Sequence, residues 1–144
     1  MNHRTLEDIP FVVVAAAIIF RERKILITKR KFEAHQGGLW EFPGGKQEEN
    51  ETLEQCLKRE LKEEIDIEVC NVQPFCVLRH RYSEKEVELH FFTCSIHTGN
   101  PQPVGCIEVA WAHPHELTSY EFPAADEAVL KKIIQGPLEH KLQA

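Results

Sequence analysis

No stretch of this chain is long and apolar enough to cross a bilayer as a helix. The one sustained apolar run, Phe11 to Phe20, covers about half of a roughly 20-residue span. Residues 1–10 hold Glu7 and Asp8 and lack both a basic leader and a small-residue cleavage pattern, so they do not read as a secretory signal, and a cytoplasmic location is expected. Paired thiols are missing as well. The five cysteines, Cys56, Cys70, Cys76, Cys94 and Cys106, are an odd set without a C-x-x-C pair, which suits reduced, packed thiols and neither a disulfide framework nor a thiolate zinc site. Positive charge is in deficit: 17 Lys and Arg against 23 Asp and Glu leave a net charge of −6. A protein that coats nucleic acid would need basic patches. An acidic chain that takes a small anionic substrate needs a metal ion or a local cluster of cations.

What is there suffices for one core. With 144 residues, 42% apolar and 28% charged, the chain is expected to form one domain over residues 1–144, its core lying between about residues 12 and 134. Phe11 to Phe20 is rich in β-branched and small residues and reads as a strand buried on both faces. Arg21 to Lys24 turns the chain back, and Lys24 to Arg30 forms a second strand with Ile25 and Ile27 on one face. A polar loop from Lys31 to Leu39 leads through Trp40-Glu41-Phe42-Pro43-Gly44-Gly45 to a helix, N-capped by Thr52 and running to about Ile65. Ile67 to Tyr82 and Glu86 to His97 read as a long hairpin around Ser83-Glu84-Lys85. Ile107 to Ala112 supplies another strand. Ala124 to Gln135 supplies a second helix, closed by Gly136-Pro137 before a fraying tail from Leu138 to Ala144. This order of strands and single helices predicts an α/β layered domain with a mixed sheet between helices.

The first helix carries its charge in an unusual place. At about 100° per residue, with Leu57 at zero, Leu53, Cys56 and Leu61 fall near about −40°, −100° and +40° and define the arc that faces inward. Glu60 then sits near about −60° and Glu64 near about −20°, inside that arc, with Glu63 at its edge near about −120°. A carboxylate placed inward is costly unless a positive partner meets it. Lys58, Arg59 and Lys62 point mostly elsewhere, so a bound cation is the economical counter-charge. Mg²⁺, held by a few carboxylates, water and substrate phosphate oxygens, fits this donor set, with Mn²⁺ as an alternative ion. The competing reading is a solvated, salt-bridged amphipathic helix.

The spacing speaks against that competitor. The segment resembles the signature of the Nudix hydrolases: glycine, five residues, glutamate, seven residues, then Arg-Glu-aliphatic-x-Glu-Glu-x-Gly-aliphatic. Gly45, Glu51, Arg59, Glu60, Leu61, Glu63, Glu64 and Ile67 match, and Asp66 stands where the last glycine is expected. That glycine serves a left-handed helix exit, which Asp tolerates better than most residues. The resemblance extends over about Val12 to Ile133; it is sharpest with the MutT branch, which removes oxidised guanine nucleotides, and the chain is also similar in texture to the CTP pyrophosphohydrolase branch. Lys29-Arg30 with His35, the Trp40 to Gly45 stretch and Phe122-Pro123-Ala124-Ala125-Asp126 carry the narrower likeness.

The resemblance implies an α/β/α sandwich and a hydrolase of phosphorus anhydrides. It implies Gly44, Glu60, Glu63 and Glu64 at the metal, Glu51 in support, and Arg59 as the partner that orients a signature carboxylate. Arg30 and His35 would meet the phosphates or sugar. Glu41, Phe42, Pro43 and Gly44 would line the nucleotide pocket, with Asp126 at the base. Phe42, Trp111 and Phe122 also read as core residues.

Two departures bear on substrate and mechanism. The MutT pattern often carries Asn at Asp126, which donates and accepts at once and so reads a guanine lactam edge. An ionised Asp accepts only, from a guanine ring N–H and amino group or from a cytosine amine, and a protonated one would mimic Asn. Relatives also commonly place a glutamate six residues before the tryptophan, where this chain has Gly105, which leaves the general base open among Glu63, Glu60 and Glu108. The expected activity is Mg²⁺-dependent hydrolysis of a nucleoside triphosphate to monophosphate and pyrophosphate, with 8-oxo-dGTP as the leading substrate. CTP or 5-methyl-dCTP and the triphosphorylated 5′ end of RNA are the enzymatic rivals, and a catalytically silent nucleotide-binding module is the reading from another class. A monomer or homodimer is expected, without membrane partners. His113-Pro114-His115 reads as solvent-facing and not as a metal site.

Overall fold

The computed structural model describes residues 9–135. Seven strands and two α-helices alternate along it: β1 (Phe11–Arg21), β2 (Lys24–Lys29), β3 (Trp40–Glu41), β4 (Gly44–Lys46), α1 (Leu53–Ile65), β5 (Glu68–Arg81), β6 (Glu86–Thr98), β7 (Glu108–Ala112) and α2 (Glu127–Gln135). The sheet is mixed. β1 runs parallel to β6, and β5 and β6 form the long antiparallel hairpin. β5 is an edge strand, interrupted by register shifts near Cys70 and Pro74 that blunt it against further pairing.

β1 is the central strand, and its apolar run divides between two cores. Ala15, Ala17 and Ile19 face one cluster with Cys56, Leu57, Leu61 and Ile65 of α1. Ala16 and Ile18 face the opposite cluster with Phe42, Phe91, Leu117 and, from α2, Val129 and Ile133. A strand with a helix-covered core on each side needs apolar residues at every position, which accounts for the unbroken run in the sequence. The result is the α/β/α sandwich with a mixed sheet.

The sheet forks, and the fork builds the site. β1 and β2 pair only beside their turn, Phe20 with Ile25 and Arg21 with Lys24, and then separate. The Trp40 to Lys46 stretch fills the gap: β3 takes the edge of β2 (Thr28 opposite Glu41), and β4 takes the edge of β1 (Ala15 opposite Gly45, Ala16 opposite Gly44). Only a glycine fits at 44, because a Cβ there would strike the backbone of Ala15 and Ala16. β7 covers the other edge of β2.

α1 begins and ends by local chemistry. The Thr52 hydroxyl accepts from the Gln55 N–H (3.1 Å) while the Gln55 side chain accepts from the Thr52 N–H (2.8 Å), a complete capping box. At the other end Asp66 is left-handed (φ 54°, ψ 48°) and its N–H reaches the Lys62 carbonyl, so the aspartate performs the turn expected of glycine. Lys58 pairs with Glu54 and Lys62 with Asp66, on the outer face as expected.

The segment 124–135 is not one helix: Ala124–Asp126 form a 3-10 turn before α2 starts at Glu127, a break that follows from Pro123, which favours an extended entry. A further 3-10 helix, Pro114–Ser119, and the short strands β3 and β4 were not expected. Gly136-Pro137 and the tail lie outside the described residues. The five cysteines are free, with Cys56, Cys94 and Cys106 buried and Cys70 and Cys76 half-buried. The His113 and His115 rings stack at 5.5 Å, with His115 exposed.

Candidate active site

Arg59 organises the N-terminal half of the site. Its guanidinium donates to both oxygens of Glu51 (Nη2 to Oε1 2.7 Å, Nε to Oε2 3.0 Å), to Glu60 Oε1 (2.8 Å), to Glu63 Oε2 (3.2 Å) and to the Lys46 carbonyl (3.0 Å). One cation thus ties the loop, the end of β4 and two helix carboxylates together. The fork donation of Arg59 and the Glu48 N–H pull Glu51 down to a pKa of about 2, so Glu51 is ionised at any physiological pH. Arg59 faces away from the apolar arc and still reaches Glu60, because its long side chain folds back across the turn.

Glu60 and Glu64 lean inward. The Glu60 carboxylate lies against Gly45, where a Cβ would collide with it. Burial raises its pKa, against the opposing effect of Arg59. Glu64 is held differently. Burial, then the negative charge of Glu41, push its pKa up to about 8, although the Gly44 N–H and the Thr28 hydroxyl both donate to it. No cation pairs with Glu64 among the described residues. Glu63 is 62% exposed and turned to Arg59.

Glu41, from β3, rises from the same row as Thr28. Its carboxylate accepts from Arg30 Nη1 at 2.8 Å, yet burial still raises its pKa, with Glu60 adding to the effect. Glu41, Glu60 and Glu64 therefore form an oxygen-only cluster with more negative charge than its neighbours offset. Among the described residues no three acidic, His or Cys side chains are already drawn into a closed ligand set. The hard oxygen donors and the missing counter-charge nonetheless fit a divalent metal ion.

Beside this cluster opens a cavity of about 550 Å³, within the about 300–1,000 Å³ range of small-ligand sites. Val12, Val14, Ala16, Val87, Leu89 and Phe91 form an apolar floor, and Arg30, His35, Glu41 and Asp126 line its polar side. Arg30 Nε donates to the His35 carbonyl at 2.7 Å, fixing the loop against the Arg30–Glu41 pair. Asp126 is 8% exposed, and none of the hydrogen bonds or ion pairs of the described residues uses its carboxyl group. Burial, then the charge of Glu41, raise its pKa to about 7, against the effect of Arg30.

Of the residues read from the sequence, Arg30, His35, Glu41, Phe42, Gly44, Glu60 and Asp126 line the cavity. Pro43 does not: its carbonyl accepts from the Ala17 N–H at 2.8 Å, which locks the stretch into the fork. Glu63 and Glu64 lie outside the cavity wall, on the helix side. Gly105 packs on Glu64: its N–H donates to the Glu64 carbonyl (2.8 Å), and a Cβ would come to 3.2 Å from the Glu64 Cα. This loop closes the end of α1 instead of offering a carboxylate. Glu108 lies exposed on β7, across β2 from β3.

Tyr82, Lys46 and Lys85 also line the cavity and were missed. Tyr82 meets His35 edge-on at 5.0 Å and His80 at 4.6 Å, joining the hairpin tip to the loop after β2. The signal was available in part: the alternation Val87, Leu89, Phe91 marks one face of β6, and Tyr82 and Lys85 flank its turn.

A family model for the NUDIX domain matches residues 14–132. The chain is 34% identical to the 8-oxo-dGTP diphosphatase of Escherichia coli (strain K12) over 121 residues, 83% of this chain and 94% of that protein. It is 35% identical to the CTP pyrophosphohydrolase of the same organism over 120 residues, 83% of this chain and 89% of that protein. The solution structure of the E. coli ORF135 protein superimposes with a TM-score of 0.77 at 32% identity, covering 96% of this chain and 97% of that one.

Proposed function

The chain belongs to the Nudix family and is a hydrolase of phosphorus anhydrides, and from that premise we propose that it is a Mg²⁺-dependent nucleoside triphosphate pyrophosphohydrolase acting on 8-oxo-dGTP. The two E. coli relatives stand within one percentage point of each other, 34% and 35%, so kinship does not choose the base. Asp126 carries the choice. It is a buried carboxyl group at the cavity wall, without a hydrogen-bond or ion-pair partner among the described residues, with a pKa near neutrality. In its protonated form it donates through O–H and accepts through C=O, as Asn does, which matches the lactam edge of a guanine. The ionised form only accepts, which serves the exocyclic amine of CTP as well as the ring N–H and amino group of a guanine, so it keeps the cytosine nucleotides as the rival.

Glu60 and Glu64, with the Gly44 carbonyl and Glu63, would hold the metal ion. When bound, the ion supplies charge neutralisation of the phosphates and a lower pKa for the attacking water. The remaining work falls to the chain. Arg59 holds Glu60 and Glu63 in place through the contacts given above. Arg30 and His35, which line the cavity, would meet the phosphates or sugar, and the apolar floor would keep water from the base. Water adds to phosphorus, the bridging P–O bond breaks, and the triphosphate leaves as monophosphate and pyrophosphate. The proton from water passes to Glu60 or Glu63, since position 105 has no carboxylate and Glu108 lies across the sheet edge.

Pyrophosphate release with Mg²⁺, measured over 8-oxo-dGTP, dGTP, CTP and 5-methyl-dCTP, tests the proposal, with Glu64→Gln as the inactive control. A higher kcat/KM for 8-oxo-dGTP supports it. A higher value for a cytosine nucleotide moves the enzyme to the other branch. Release only from triphosphorylated RNA, or nucleotide binding without release, would overturn it.

A further inference from the structure

We propose that Thr28 is a positioning residue for Glu64, setting the metal affinity of the site without touching metal or substrate; this rests on Glu64 being a metal ligand, as inferred above. Thr28 is the last residue but one of β2, after Ile25, Leu26 and Ile27, and it is fully buried. At such a position valine has nearly the same shape and brings no polar atom into the core. A buried hydroxyl is stable only if its hydrogen bond is made. That bond goes to Glu64: Thr28 Oγ1 donates to Oε1 at 3.2 Å, between residues 36 apart in sequence.

The fork explains the reach. Thr28 stands opposite Glu41 of β3 and Val109 of β7, in the row of β2 that faces α1. Glu64 is the last glutamate of α1, and its backbone carbonyl is clasped by the Val104 and Gly105 N–H groups (3.1 and 2.8 Å). The helix end is therefore fixed from the loop side and the carboxylate from the strand side. Arg59, which holds Glu60 and Glu63, does not reach Glu64. The two donors on the Glu64 carboxylate, the Thr28 hydroxyl and the Gly44 N–H, are both neutral. Neutral donors orient a carboxylate while leaving its full negative charge for a cation, whereas an arginine would compete with that cation. A threonine in this row thus does what a cationic partner would defeat.

The direct test is Mn²⁺ binding, followed by electron paramagnetic resonance on the wild type, Thr28→Val and Thr28→Ser without nucleotide. Loss of a hydrogen-bonding partner behind a ligand typically weakens a metal about 10–100-fold. Thr28→Val is expected to weaken Mn²⁺ by about tenfold or more, while Thr28→Ser, which keeps the hydroxyl, stays within about threefold of wild type. Thermal unfolding in EDTA accompanies each variant, and Thr28→Val is expected to unfold no earlier than wild type there, since the apolar isostere fits the core. Mn²⁺ binding by Thr28→Val equal to wild type would overturn the inference and leave the proposed function standing. Loss in Thr28→Ser as large as in Thr28→Val would overturn it too, because shape and not the hydroxyl would then be at work. Wild type that binds no Mn²⁺ would remove the metal reading itself, and this inference with it.

Discussion

Replacing Glu64 by glutamine is expected to make the metal-free protein more stable while abolishing its turnover. Burial and the charge of Glu41 raise the Glu64 pKa from 4.5 to about 8. Between those two values the folded state keeps a proton that the unfolded state has lost, so stability falls as pH rises through that window. The fall is about 1.4 kcal/mol per pH unit. At pH 7 the penalty is on the order of 3 kcal/mol, an upper figure because local relaxation and water entry soften it. Glutamine carries no such penalty, and its amide still accepts from Thr28 through its oxygen. Urea and thermal unfolding in EDTA at pH 5, 7 and 8.5 measure the effect. The variant and wild type should be close at pH 5 and should separate as pH rises, the variant melting roughly 4–10 °C higher at pH 7 if the gain is about 2–3 kcal/mol. With saturating Mg²⁺ the order reverses at high pH, because the wild type gains binding free energy that the variant cannot. A variant less stable than wild type in EDTA at pH 8.5, with an unchanged pH slope, would refute the reasoning: the carboxylate would then be compensated in the fold and no cation would be required.

Asp126→Asn should fix the neutral, donor-and-acceptor form, raising the kcat/KM ratio of 8-oxo-dGTP to CTP by about tenfold and flattening its pH dependence. The wild-type ratio should fall as pH rises through about 7, and the size expected corresponds to one hydrogen bond of about 1.4 kcal/mol. A ratio in wild type that does not change between pH 6 and 8.5 would exclude this role. Gly45→Ala places a methyl group on the Glu60 carboxylate and should force that side chain off Arg59, weakening metal activation by about tenfold or more while leaving the Cβ-tolerant backbone folded; equal Mg²⁺ activation in the variant and wild type would show that Glu60 can move freely. At the β1–β2 turn Glu22 and Arg23 both adopt positive φ, 52° and 68°, a geometry that Asn-Gly meets at less cost. The double change Glu22→Asn, Arg23→Gly should stabilise the protein by about 0.5–1 kcal/mol in urea without altering kcat, and a loss of stability would mean that the native side chains hold this turn by contacts worth more than its strain.

Much of the helix was legible because its determinants are local. Thr52 and Gln55 are three residues apart, Asp66 sits one residue past the last turn, and the inward angles of Glu60 and Glu64 follow from counting residues at helical pitch. The long hairpin was legible for a similar reason, since Val87, Leu89 and Phe91 alternate around a polar turn. The two-residue β3 and three-residue β4 are too short to show any period, and their place depends on β1 and β2 parting company. That parting is a tertiary event. Pro43 shows the same dependence: adjacency to Gly44 suggested the pocket, and the fork turns its carbonyl to Ala17.

Thr28 shows why the remainder of the site escapes a linear reading. In the run Lys-Ile-Leu-Ile-Thr-Lys a threonine is an ordinary strand residue, and nothing within a window of that size distinguishes it from valine. Its meaning arises from the register that sets it opposite Glu41 and beneath the last turn of α1. Asp126 has the same character. Its neighbours suggest a helix-start acid favoured by the dipole, whereas the 3-10 turn after Pro123 leaves it buried within range of the Glu41 charge, 85 positions away in sequence. Glu64, which Thr28 holds, and Asp126 share a second influence beside burial, the negative charge gathered where β3 enters the fork. Glu41 raises the pKa of Glu64 on the helix side and of Asp126 on the cavity side. It follows that a cation bound at Glu64 acts on Asp126 as well, lowering the charge that keeps its proton on. Metal occupancy and base preference should then be linked through Glu41: a cation that lowers the Asp126 pKa from about 7 changes its protonation just below pH 7 and little well above it, so the ratio of guanine to cytosine turnover should depend on the metal concentration more steeply just below pH 7 than above it.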